Sequence, residues 1–122
     1  MPTAETLFPV LTHETRRRLL MLLQTAGELC VCELFQALDQ GQAPVSRHLA
    51  ILRKAGLVEA RRHGTWIYYR LPAHLPPWIQ TLFAALAEAP GNDVFAADAQ
   101  RLRRVGAQSL ACGPSARSIT RS

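Results

Sequence analysis

The chemistry-bearing stretch of this 122-residue chain is Glu28-Leu29-Cys30-Val31-Cys32-Glu33-Leu34, where two of its three cysteines stand two positions apart. Within a regular helix, residues i and i+2 point away from each other and could not share one ion. In an extended segment they face the same side, about 6.6 Å apart at the backbone, and their sulfurs can converge. Residues from Cys32 onward read as a helix, so the second thiol lies near a helix N-terminus, where the macrodipole favours thiolate. Paired thiolates select soft, thiophilic centres. Trivalent arsenic and antimony form pyramidal sites with up to three sulfurs. Zinc or cadmium would ask for four donors, and no further Cys or His lies nearby in sequence. Cys30 and Cys32 are therefore the expected ligands of trivalent arsenic or antimony, and Cys112 is the sulfur available for a third position. An odd number of cysteines in a reducing compartment suits ligands or thiols better than a disulfide frame. Oxidation of the same pair, a redox sensor, is the competing chemistry.

The elements that must position this pair follow from periodicity. Leu7, Phe8 and Leu11 suggest a short opening helix broken by Pro9. Thr12 can cap a second helix, from about His13 to Thr25, that buries Leu19, Leu20, Leu22 and Leu23 and ends at Gly27. Glu28 to Val31 reads as an extended lead-in to a third helix, about Cys32 to Leu38. Asp39 to Gln42 is turn chemistry. Pro44 fits the first position of a fourth helix, in which Val45, Leu49 and Leu52 form one apolar stripe. Two strands, Leu57 to His63 and Thr65 to Leu71, turn at Gly64. A helix from about Pro77 to Ala89 carries Trp78, Ile79, Leu82, Phe83 and Leu86, an apolar face too broad for a lone surface helix on so small a domain. The expected division is a domain over 1–90 and a C-terminal tail over 91–122. In that tail an alanine-rich helix near Asp93 to Val105 precedes a disordered end from Gly113.

Charge singles out one region. Between Gly41 and Pro72 lie six cations (Arg47, Arg53, Lys54, Arg61, Arg62, Arg70) against one acid, Glu59. A focused basic surface suits a polyanion, because neutralising phosphates releases counterions. Two short helices, a tight turn and a hairpin are the order of a winged helix-turn-helix, mainly α with a small β-hairpin. With the fourth helix packed through its stripe, Gln42, Ser46, Arg47 and His48 offer hydrogen-bonding groups to base edges, and Arg53 lies on the same outer side. Arg61, Arg62 and His63 lead into the hairpin tip, a place to hold phosphate or enter a minor groove.

The segment from Pro44 to Val58 (PVSRHLAILRKAGLV) closely resembles the recognition helix and following turn of arsenic-responsive repressors of the ArsR/SmtB family. Thr15 to Leu20 resembles that family's second helix, and Gly64 to Tyr69 its wing. The resemblance spans roughly residues 5–90. It implies a homodimer built from the first and last helices, which binds double-stranded operator DNA at an inverted repeat and blocks transcription. The family's arsenic-sensing members are similar at Cys30 and Cys32, but many carry a third cysteine where this chain has Phe35. Pro44 stands where the family often has a polar residue. The family's other common sensor site, Asp and His along the last helix, has no counterpart here beyond Glu88.

Other classes fit poorly. No apolar run approaches the ~18–20 residues that cross a bilayer, and no signal peptide is evident, so a cytoplasmic protein is expected. Thiol-based arsenate reductases need a Cys-x5-Arg loop, and only four residues separate Cys112 from Arg117. An enzyme is not expected.

Overall fold

The computed structural model of the protein describes residues 2–91 and 93–107. Its elements run α1 (Ala4–Leu11), α2 (Glu14–Ala26), β1 (Glu28–Cys30), α3 (Val31–Leu38), α4 (Gln42–Lys54), β2 (Glu59–His63), β3 (Trp66–Arg70), α5 (Pro77–Glu88) and α6 (Asp93–Ala107). Cys112 and the expected disordered end lie outside the described residues.

The centre of the fold is α2. Leu19, Leu20, Met21, Leu22 and Leu23 are all buried, because the helix is surrounded by α1, α3, α4, α5 and α6. Five consecutive apolar residues cover every side of the middle of this helix, and only such a position buries them all. Pro9 does not break α1. It forgoes one hydrogen bond, to the carbonyl of exposed Glu5, and the helix continues to Leu11. Thr12 does not cap α2 either: its Oγ1 donates to the Pro9 carbonyl (2.7 Å) and closes α1. The cap is His13, whose Nδ1 accepts from the Thr15 N–H at 3.3 Å.

Gly27, at φ 90°, ends α2 and turns the chain into β1. The expected extended lead-in is a strand over Glu28–Cys30. It joins a three-stranded antiparallel sheet in the order β1-β3-β2, with Glu28, Leu29 and Cys30 opposite Arg70, Tyr69 and Tyr68. Backbone groups of a buried extended segment must find partners, and the outer edge of β3 supplies them. Gly64 and Thr65 alone connect His63 to its partner Trp66, and Gly64 takes the positive φ (65°) that so tight a hairpin requires. Pro44 is the third residue of α4, not the first, still within the turn whose N–H groups have no intrahelical partner.

The alanine-rich helix expected near Asp93 to Val105 is present, and what differs from expectation is its seat. Residues 93–107 form a full helix seated on α2 and α3, so the folded unit does not end at residue 90. Leu102 enters the core, and Asp98 is 1% exposed. Arg18 grips Asp98 with two nitrogens, at 2.8 and 2.6 Å, and donates to the Leu38 carbonyl at 2.9 Å. Arg101 reaches the same carboxylate (2.7 Å) and the Ala37 carbonyl (2.7 Å). Two arginines thus tie α6 to the last carbonyls of α3, the groups a helix C-terminus leaves without intrahelical donors.

Removing one partner of a buried ion pair strands the other charge. Asp98→Ala should lower stability in urea by about 3–5 kcal/mol. Changing Arg18→Met and Asp98→Leu together should recover most of that loss, and an unaltered midpoint in the single variant would show that the pair anchors nothing.

Candidate functional site

Cys30 ends β1 and is also the N-cap of α3, with φ −81° and ψ 164°; Cys32 is the second residue of that helix. An N-cap side chain folds back over the first helical turn. Here the folded-back side chain carries sulfur, and its Sγ comes to 3.3 Å from that of Cys32. The sulfurs converge through a strand-to-helix turn, and not because both residues are extended. Glu33 Oε1 accepts from the Cys30 N–H at 3.0 Å and holds the turn in place. Cys30 is sealed from solvent, whereas Cys32 is 8% exposed. Tyr68, across the ladder from Cys30, completes a small cluster with the two cysteines, and Phe35 and Trp66 pack on its margin. The position one turn beyond Cys32 is therefore filled with aromatic carbon.

Behind this cluster the sheet carries an ion pair. Arg61 donates to both carboxylate oxygens of Glu28, at 3.0 and 2.6 Å. Those hydrogen bonds, outweighing partial burial and joined by the Arg61 charge, hold the Glu28 carboxyl below the usual carboxylate range. The Arg61 guanidinium also lies over Tyr68, 5.6 Å from the ring centroid. Arg61 thus spans the sheet from β2 to β1, while Arg62 and His63 are exposed beside the hairpin tip.

The structure brings together most of the remaining sequence-selected residues on α4. Val45, Leu49 and Leu52 are fully buried, which leaves Gln42, Arg47 and Arg53 exposed and Ser46 half-exposed. Lys54 is also exposed on this helix. His48 is different. Its ring lies 4.2 Å from that of His13, centroid to centroid, and so links α4 to the cap of α2. Partial burial, and then the charges of His13, Arg16 and Arg47, push the His48 imidazole below its ordinary pKa.

Residues 13–60 match the family model described as "Bacterial regulatory protein, arsR family". The arsenic resistance transcriptional regulator ArsR1 of Pseudomonas putida is 41% identical over 104 residues, 85% of this chain and 80% of that protein. The chain belongs to the ArsR family. A second relative of this ArsR-family chain, the arsenical resistance operon repressor of Escherichia coli, is 53% identical over 72 residues, 59% of this chain and 62% of that protein. Among solved structures, the homodimeric winged helix-turn-helix DNA-binding domain Mb0332 from Mycobacterium bovis is similar, with a TM-score of 0.59 and 30% identity over 70-odd per cent of each chain (73% of this one, 79% of that one). The architecture of this ArsR-family regulator is accordingly a winged helix-turn-helix, with α3 and α4 as the helix pair and β2–β3 as the wing.

Two features escaped the sequence reading. Glu28 as partner of Arg61 could have been suspected only by pairing strands 33 residues apart. His13, which belonged to no ligand spacing, is placed against His48 by the crossing of α2 and α4.

The lowered His48 value fixes a sign. In the unfolded chain His48 takes up a proton near its ordinary pKa of 6.5, whereas in the fold it resists. Stability present above that value is lost as the pH falls toward the folded value. Urea midpoints should fall between about pH 7 and about pH 5, and His48→Asn should flatten that part of the profile. An identical slope in the variant would assign the effect to other groups.

Proposed function

We propose that this ArsR-family chain is a metalloid-responsive transcriptional repressor. It binds operator DNA as a homodimer in the cytoplasm and lets go when trivalent arsenic or antimony bonds to Cys30 and Cys32. The observation that carries this reading is the 3.3 Å separation of the two sulfurs on one side of the turn that starts the helix-turn-helix. With sulfur bonds of about 2.3 Å, such a separation subtends about 92° at a shared atom, narrower than the tetrahedral angle zinc prefers. A pyramidal centre bonded through p orbitals accepts that angle without strain. Each bond forms as a thiol proton leaves with a hydroxyl of the metalloid acid, as water. Cys32 gives the entering species its edge of access, and the α3 N-terminus stabilises thiolate. Cys112 is the chain's other sulfur and the candidate third donor. No ligand role falls to Phe35.

DNA contacts are assigned to Gln42, Ser46, Arg47 and His48 on α4, at base edges and the phosphates beside them, to Arg53 on the flank, and to Arg62 and His63 at the wing. Arg61 acts from within the sheet through Glu28. A two-fold partner would cover Phe8 of α1 and Trp78 of α5, which are 51% and 42% exposed. Binding ties the sheet edge at Cys30 to the first turn of α3. The shift passes through the 39–41 turn to α4, which loses its spacing from the two-fold mate. Linkage requires the operator-bound form to bind metalloid more weakly by the same factor that DNA affinity falls, ordinarily about 5- to 150-fold.

Gel shifts with arsenite, antimonite, cadmium, zinc and peroxide in parallel test the reading. Arsenite and antimonite should release the DNA at the lowest concentrations. The Cys30→Ser, Cys32→Ser double variant should bind DNA as the wild type does and ignore both. Release of the double variant by arsenite would overturn the site, and release of the wild type by peroxide alone would favour a thiol redox switch. Cys112→Ser should weaken the response to arsenite if three sulfurs are used and leave it unchanged if two suffice.

A further inference from the structure

Three successive arginines open α2, and two are spoken for. Arg17 donates to the Leu11 carbonyl at 2.7 Å, closing α1, and Arg18 holds Asp98. Arg16 goes elsewhere. It is half-buried, and its Nε is shielded from solvent with no hydrogen-bond partner among the described residues, as is Nδ1 of His48. The His13 ring lies 4.2 Å from that of His48, and Arg16 follows His13 by three residues on the same side of the first turn of α2; with Arg47 these are the charged groups acting on His48, all basic. The acid nearest to Arg16 in sequence, Glu14, lies 3.8 Å from Arg18.

We propose that His13, the cap of α2, and Arg16 of α2, together with Arg47 and His48 of α4, form a clamp for one phosphodiester of the DNA backbone. This rests on the DNA-binding reading above and extends it to a helix outside the helix-turn-helix. Location supports the choice of ligand. Thr15 Oγ1 and the Gln40 side chain exchange contacts at 3.3 and 3.2 Å, which pins the start of α2 beside the turn that launches α4. At about 100° per residue, Ser46 and His48 lie on opposite flanks of α4. A helix seated in the major groove turns its flanks to the two phosphate walls. Ser46 and Arg53 face one wall, and the four-residue cluster faces the other. A guanidinium whose Nε lacks an acceptor among the described residues, a neighbouring imidazole and the positive end of a 13-residue helix (α2) are complementary to a tetrahedral anion.

The test uses the full chain, a duplex selected from a random pool by the wild type, and an unrelated duplex. Each phosphate neutralised contributes about 0.9 to the slope of log affinity against log salt. Arg16→Ala should make that slope shallower by about 0.9, with the same fold-loss on both duplexes, and Arg16→Lys should restore it. In a second arm that leaves the protein untouched, single neutral methylphosphonates are walked along the selected duplex. One flanking position should weaken the wild type and weaken Arg16→Ala by a smaller factor. An unchanged salt slope, or methylphosphonate sensitivity identical in both proteins, would overturn the clamp. Displacement of DNA by millimolar inorganic phosphate at fixed ionic strength would reassign the cluster to the free anion. Absence of wild-type binding to any duplex would instead sink the DNA-binding reading on which the clamp rests.

Discussion

The short ladder between β1 and β3 is the constraint from which the rest of the site descends. Three residue pairs fix where the extended chain stops, at Cys30 opposite Tyr68. Because that same residue caps α3, the ladder also fixes where the helix begins and in which direction it leaves. Cys32 is then carried to its neighbour by helical geometry alone. A shift of register by one residue would turn Leu29 toward the cluster and Cys30 away from it, since strand side chains alternate faces. The sulfur pair is thus specified by sheet pairing before any ligand is present.

That arrangement connects two parts of the molecule that are remote in sequence. Tyr68 is paired with Cys30 on one side and with Arg61 on the other. The wing strands and the cysteine turn therefore share one central residue, and the Glu28–Arg61 ion pair runs alongside it. The cysteine turn is joined to α4 forward through α3 and the following turn, and to the hairpin sideways through β3. Both connections begin in a cluster sealed by aromatic rings, where small displacements cannot be absorbed by loose packing.

Local chemistry explains which features were legible in the sequence. The stripe of Val45, Leu49 and Leu52 declares α4 because its period is written within eight residues, and Gly64 marks the hairpin because few other residues tolerate its φ. The cysteine pair was legible as a pair, although the reason for its convergence was not: a cap at Cys30 and an extended residue there look alike until β3 is in place. The three-residue β1 is too short to carry a period. Thr12 and His13 are both plausible caps, and the choice turned on where α1 ended. Most opaque was α6. Its alanine-rich sequence announces a helix, but its seat depends on a carboxylate finding an arginine 80 residues earlier.

That distant partnership has an evolutionary consequence. Arg18 sits in the interior with a positive charge that Asp98 and the end of α3 hold at the shortest distances. A lineage that shortened its C-terminus, or exchanged the acid for a neutral residue, would be left with a buried cation in its central helix. The two positions are therefore expected to drift as one: close descendants of this chain keep both or replace both, and a survey of their paired identities would read as a single inherited character.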